Sequence, residues 1–252
     1  LKTDNLQRVV NDGPRTLFIG DLHLSDERPD ITQAFERFLV SEVPGADALY
    51  ILGDLFEAWI GDDNLTPFNR HVAALIHQAA QSTPIFYIQG NRDFLLGADY
   101  AQRCGMTLLP EVDTVNLYGT PTVILHGDSL CTEDLDYQRF RRLRNKPWFR
   151  LLLLSLPLKL RQNLARRARN KSKQHTQTKS MSIMDVTPSA VERLLKQSQT
   201  VRMIHGHTHK PYIHELPEGL QRVVVGDWYH QDSVLLITPE SCKLSSQALP
   251  KS

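Results

Sequence analysis

Seven short apolar runs, rich in β-branched and aromatic residues, punctuate the chain: TLFIG from Thr16, ALYIL from Ala48, PIFYI from Pro84, TVILH from Thr122, VRMI from Val201, RVVV from Arg222 and SVLLI from Ser233. Their shortness and composition predict buried strands rather than helices. Between the first two, Ile31, Ala34, Phe35, Phe38 and Leu39 recur at helical spacing behind Asp30, a suitable N-cap, and a second helix is predicted from Phe68 to Ala80. The chain thus opens strand, helix, strand. VNLYGTPTVILH predicts instead a hairpin turned at Gly119 to Pro121, so the later strands should be more antiparallel than the first. An α/β sandwich accounts for both halves better than a doubly wound sheet.

Between the strand ending at His126 and the one starting at Val201 the pattern turns helical, with no convincing strand. LLLLSLPLKL is strongly apolar, and Pro157 should break any helix through it. RQNLARRARNKSKQ is basic and helix-compatible, and Thr187-Pro188 should start a helix over AVERLL. The expected organisation is a single domain over 1–252, with a helical cap insertion at about 132–198.

With 41% hydrophobic and 23% charged residues, the composition is that of an ordinary globular protein. No apolar run approaches the roughly eighteen residues needed to cross a bilayer, and LKTDNLQRVVNDGPR has no signal-peptide core, so a cytoplasmic protein is expected. No role for residues 1–15 is apparent. Cys104, Cys131 and Cys242 lie far apart, which predicts free thiols rather than disulfides or a thiolate zinc site. The net charge of +1 hides an asymmetry. From Arg139 to Lys179 there are 14 of the 29 Lys and Arg residues and no Asp or Glu, so this segment should face an anion or a membrane.

Five short motifs follow the predicted strands: GDLH, GDLFE, GNRD, HGD and HGHTH. That is where open α/β sheets place ligands. Each offers oxygen or imidazole donors and none offers cysteine, which suits Mn²⁺, Fe²⁺, Co²⁺ or Zn²⁺ in a hydrolytic centre. Singly they are weak: alone, a pair such as Asp21 and His23 is more often a turn beside a surface histidine, and Glu57 could simply be a solvated carboxylate. Asn91 offers an amide oxygen and Arg92 a planar cation suited to phosphate. Together the set could bind two divalent ions that share a carboxylate, the arrangement used for phosphate ester hydrolysis.

In that order, D-x-H, GDxx[DE], GN[HR][DE], a later histidine and GHxH, the motifs resemble those of the calcineurin-like metallophosphoesterases. The resemblance implies an α/β/β/α sandwich. It also implies one metal on Asp21, His23, Asp54 and His209 and another on Asp54, Asn91, His126 and His207, with Asp54 bridging and His205 a packed neighbour. The catalytic set it implies is Asp54, Asn91, Arg92, His126 and His207. ADALYILGDLFEAWIGDD, GNRDFLLG, HGDSLCTEDLDYQRFR, TKSMSIMDV and HGHTHKP with RVVVGDW bear a closer resemblance, to the UDP-2,3-diacylglucosamine hydrolases of lipid A synthesis. These are manganese-dependent diphosphatases of Gram-negative bacteria, and with such a substrate the basic segment beside LLLLSLPLKL predicts peripheral association with the cytoplasmic face of the inner membrane. By that resemblance the substrate is UDP-2,3-diacylglucosamine, cleaved by metal-held hydroxide at the α-phosphorus to UMP and 2,3-diacylglucosamine 1-phosphate. Asn91, Arg92, Asp134, Ser172, Thr176, Lys179 and His207 would touch it, and no nucleic-acid partner is implied. A metal-dependent nuclease or cyclic-nucleotide phosphodiesterase would use the same five motifs and read the basic segment as a nucleic-acid groove. A membrane-surface adaptor on a degenerate phosphoesterase fold is the non-enzymatic alternative.

Overall fold

A computed structural model describes residues 13–178, 185–229 and 231–248, the side chains of 170–178 excepted. Two mixed sheets lie face to face. The first runs, edge to edge, β11 (Cys242–Ala248), β10 (Gln231–Ile237), β1 (Thr16–Ile19), β2 (Ala48–Ile51), β3 (Ile85–Tyr87) and β4 (Met106–Leu108), with β1 to β4 mutually parallel. The second runs β5 (Val112–Leu117), β6 (Thr120–Leu125), β7 (Arg202–His205), β9 (Gln221–Val224) and β8 (Tyr212–Glu215).

Alternation along each strand builds the layers. Phe18, Tyr50 and Leu235 of the first sheet meet Ile124, Ile204 and Val223 of the second. Leu17, Ile19, Leu49 and Ile51 point the other way, onto α1 (Pro29–Ser41), α2 (Pro67–Ala80) and α3 (Ala98–Cys104). Val123, Leu125 and Met203 bury Ala190, Val191 and Leu195 of α7 (Pro188–Ser198) beneath the second sheet. The molecule is an α/β/β/α sandwich. Among the described residues of 132–198, therefore, the helices that stand outside the layers are α4 (Leu135–Arg144), α5 (Pro147–Ser155) and α6 (Leu158–Thr178), because α7 closes the second core.

Three local expectations need correction. Asp30 does not cap α1: Pro29 occupies the first helical position, where its fixed φ suits the helix, and Asp30 inside the first turn pairs with Arg28 at 2.7 Å. The hairpin turns one residue earlier than expected, at Tyr118 and Gly119, whose φ of 53° and 92° fit a two-residue primed turn and leave Pro121 in β6 opposite Asn116. Strands β4, β8 and β11, absent from the seven predicted runs, lie at sheet edges and give no long apolar run: β8 (YIHE) and β11 (CKLSSQA) carry polar residues that water solvates, and β4 (MTL) is three residues long. Pro157 separates α5 from α6 as expected, and Cys104, Cys131 and Cys242 are free thiols.

Candidate metal centre

All seven expected ligands lie on the rim formed by the C-terminal ends of β1, β2, β3, β6 and β7. Leaving a strand while turning the side chain back over the sheet requires an unusual backbone. Asp21, His23, Asp54, His207 and His209 have φ between 50° and 70°, and they make up five of the eight non-glycine residues with positive φ among those described. Left-handed backbone at bulky residues costs about 1–3 kcal/mol each and concentrates at functional sites. Hydrogen bonds brace it. Asp21 N–H donates to Gly53 O at 3.0 Å, His23 N–H to Asp54 O at 2.9 Å and His207 N–H to Asp21 Oδ2 at 2.7 Å.

The side chains converge in two groups: Asp21, His23 and His209, and Asp21, Asp54 and His126. His23 Nε2 and His209 Nε2 face each other at 3.5 Å. Asp54 Oδ1 accepts Arg92 N–H at 2.7 Å, which aims Oδ2 between His126 Nε2 at 3.8 Å and His23 Nε2 at 3.9 Å. His126 Nδ1 donates to Leu52 O at 2.8 Å, fixing the tautomer whose Nε2 faces Asn91 Oδ1 at 3.1 Å. The His207 ring lies 5.0 Å from that of His126. Carboxylates, an amide oxygen and four imidazoles without thiolate fit divalent cations. Asp21 Oδ1, buried and without a well-aligned hydrogen bond among the described residues, is the kind of orphan a cation satisfies.

Burial opposes ionisation of Asp21, yet His209, with His126 and His23 behind it, holds the carboxyl well below the usual range. Burial likewise disfavours charge on His209, but Asp21 Oδ1 at 3.4 Å and Asp227 Oδ2 at 3.1 Å push its pKa up to about 10. Burial and then His126 drive His207 down to about 4, and burial drives His205 down to about 3. His205 donates through Nδ1 to Gly206 O at 2.8 Å and is wholly buried, a packed residue behind the half-buried His207 and His209.

A linkage follows. An imidazole must be neutral to coordinate, and without a cation His209 keeps its proton until about pH 10, whereas His207 has lost its own well below neutrality. Mn²⁺ affinity of the chelator-treated protein should therefore rise at least about tenfold per pH unit between pH 6 and 8, with proton release visible by calorimetry in buffers of different ionisation enthalpy. His126 adds to the slope, because burial disfavours its charge but Asp54 and then Asp21 raise its pKa above the ordinary value. A flat affinity over that range would contradict the His209 assignment. The same raised pKa stabilises the cation-free fold fully below about 6.5, and that contribution is lost as pH climbs through about 10.

Several residues around the centre were not anticipated. Glu57 is buried, not solvated: its carboxylate lies 3.3 Å from His23 Nδ1, 3.2 Å from the Tyr229 hydroxyl and 2.8 Å from Arg169 Nε of α6. Burial works against its ionisation, but His23 and Arg92 hold its pKa down to about 2. Tyr229 stacks on His23 at 4.9 Å. Asp93 accepts backbone N–H groups from Leu55 at 2.7 Å and Gly90 at 2.8 Å, tying two ligand loops together. Asp128 takes Arg144 at 2.5 Å and Tyr137 at 2.6 Å, anchoring α4 beside His126. The sequence signal for Glu57, Asp93 and Asp128 was their place inside the motifs. Tyr229 offered none.

Asp134 caps α4, accepting Tyr137 N–H at 3.1 Å. Ser172 and Thr176 fall on α6 where side chains are outside the described residues, as is Lys179 altogether. Arg92 is a quarter exposed, its guanidinium 3.9 Å from Glu57.

Residues 14–211 match the family described as calcineurin-like phosphoesterase. The chain is 58% identical over 230 residues to a UDP-2,3-diacylglucosamine hydrolase of Shewanella halifaxensis (strain HAW-EB4), covering 91% of this chain and 97% of that one. It is 56% identical over 231 residues to the protein of that name from Shewanella loihica (strain ATCC BAA-1088 / PV-4), covering 92% and 96%. It is 57% identical over 232 residues to that from Shewanella baltica (strain OS155 / ATCC BAA-1091), covering 92% and 97%.

Proposed function

Because the chain belongs to the calcineurin-like phosphoesterase family, we propose that it hydrolyses the diphosphate of UDP-2,3-diacylglucosamine, the substrate in the name of its similar relatives. Water adds to the α-phosphorus, the bond from that phosphorus to the bridging oxygen breaks, and UMP and 2,3-diacylglucosamine 1-phosphate leave. Two divalent ions, which we take to be Mn²⁺, would be held by Asp21, His23, Asp54 and His209 and by Asp54, Asn91, His126 and His207. When bound, they supply Lewis-acid chemistry that acidifies water and neutralises phosphate oxygens.

The chain's own residues do the rest. Asp54, clamped through one oxygen by Arg92 N–H, would offer the other, which lies between His126 and His23, to both sites. Leu52 and Glu57 orient the imidazoles of His126 and His23, so their ring nitrogens need no rearrangement as charge develops. Arg92, partly exposed at the mouth of the centre, adds a planar cation for phosphate oxygens, and Asp134, Ser172, Thr176 and Lys179 contact the lipid sugar.

One observation carries the lipid part of the reading. The helices α4 to α6 expose Phe140, Trp148, Leu151, Leu152, Leu160 and Leu164 among their arginines, and through Arg169, Glu57 and His23 the same helices are joined to the metal ligands. An apolar, cationic cap beside a hydrolytic centre suits a diphosphate bearing acyl chains. It also suits peripheral binding to anionic lipid at the cytoplasmic face of the inner membrane. No helix among the described residues is long and apolar enough to cross a membrane.

Purified protein with Mn²⁺ in ¹⁸O-water should release UMP from UDP-2,3-diacylglucosamine, with the label in UMP. Label in the lipid phosphate would move attack to the other phosphorus. Turnover of single-stranded nucleic acid but not of the lipid would overturn the assignment.

A further inference from the structure

Along the rim of the first sheet, β1, β2 and β3 deliver Asp21, Asp54 and Asn91 in turn, and the next strand, about 4.8 Å further on, is β4. The chain leaving β4, LLPE from Leu108, brings no ligand to the ions. It forms instead one wall of a cavity of about 350 Å³ whose other walls are Gln89, Gly90 and Phe94, with Arg144, Asn145 and Arg150 closing it from the helical segment. Gly90 and Asn91 are consecutive, so the cavity begins one residue from the metal ligands.

Its unusual member is Arg150. Arg141, Arg144, Arg161 and Arg169, the other half-buried or buried arginines described in α4 to α6, each meet a carboxylate. Arg150 meets none among the described residues. It donates from Nη2 to Gln89 Oε1 at 2.6 Å, while its Nε is buried without an acceptor. The charges around it are Arg144, of like sign, and Glu111. Buried donors left without a partner cost about 1–3 kcal/mol, which an incoming acceptor recovers.

The walls say which acceptor. Phe94, Leu109 and Pro110 are apolar and suit a flat ring, Arg144 is already paired with Asp128, and Glu111, held at the rim by Asn145 at 3.1 Å and by Arg141, offsets the charge of Arg150, so nothing in the walls calls for a second phosphate. A neutral ring bearing carbonyl oxygens satisfies both conditions. The acyl chains have their own match in the leucines exposed on α5 and α6.

We propose that this cavity seats the pyrimidine base of the nucleotide half of the substrate, packed against Phe94, Leu109 and Pro110 with Arg150 donating to a ring carbonyl. The assignment rests on the proposed reaction: the α-phosphate is held at the ions, the lipid half runs to the helical segment, and the nucleoside turns past Asn91 into the space beside β4. Arg150 and the cavity walls are thus specificity determinants for the nucleotide, remote from the bond that breaks.

The test is binding of UMP and of inorganic phosphate to the full chain loaded with Mn²⁺, compared among the wild type, Arg150→Gln and Leu109→Trp, with Mn²⁺ stoichiometry checking that the centre still forms. Arg150→Gln removes the donor, and Leu109→Trp fills the cavity from the opposite wall. Both should weaken UMP about tenfold and leave phosphate within about twofold, the loss of one charge-assisted hydrogen bond or of the space for the ring. Equal effects on UMP and phosphate, or none on UMP, would overturn the cavity assignment. Turnover of UDP-2,3-diacylglucosamine is followed in the same wild-type sample. Turnover without selective loss of UMP overturns the cavity alone, and selective loss without turnover upholds the cavity while the proposed reaction fails.

Discussion

Asp54→Asn should abolish binding of both divalent ions and lower turnover of UDP-2,3-diacylglucosamine by at least about a thousandfold, the equivalent of about 4 kcal/mol of transition-state stabilisation. Asparagine preserves shape, and its carbonyl can still accept the Arg92 N–H that Asp54 Oδ1 accepts at 2.7 Å. What it loses is charge at Oδ2, which stands 3.8 Å from His126 Nε2 and 3.9 Å from His23 Nε2, between the two halves of the centre. A ligand exclusive to one half would cost one ion. Metal analysis of the purified variant, alongside kcat, separates these cases: retention of one tightly held ion would show that Asp54 serves a single site, and two ions with undiminished turnover would remove it from the centre.

Gly90→Ala should be nearly as damaging, although Gly90 carries no chemistry. A Cβ built there falls on Asp54 Oδ1 and on the Asp54 backbone nitrogen, and the facing Gly53, at φ 87°, is equally tight against the Gly90 backbone. The loops after β2 and β3 pack main chain against main chain, with Asp93 bonded to N–H groups of both. An added methyl must push Asp54 out of its position or part the loops. Overpacking of this kind costs about 1–3 kcal/mol of stability. The expected result is a folded protein with a lower melting temperature, at least about a hundredfold less turnover and weakened Mn²⁺ binding. A variant with wild-type Mn²⁺ affinity would show that the loops yield without moving the carboxylate.

The two predictions differ in how far they could be read from the chain. Asp54 announces itself, because GDLFE follows a strand and the other four motifs follow strands too. Gly90 stands in GNRD, but nothing in four letters says that its missing side chain is the space an aspartate from the preceding strand needs. Glu57 makes the same point. As a letter in GDLFE it reads as readily solvated as buried, and its partners Arg169 and Tyr229 lie far along the chain, the tyrosine 172 residues away.

Alternating apolar runs, strand-end motifs and the basic, leucine-rich stretch are local properties, since each follows from side chains a few residues apart and the periods of strand and helix. They were enough for the sandwich, the strand-end places of the seven expected ligands and the character of the helical segment. The left-handed turns that aim those ligands, the removal of α7 from the cap into the second core and the ring of Glu57, Asp93, Asp128 and Tyr229 arise from close packing between segments distant in sequence. So does the cavity behind the GNRD loop, which exists because β4 lies beside β3 and the α4–α5 junction covers both. No local pattern encodes such contacts, for they depend on which backbones are brought together and how closely they fit.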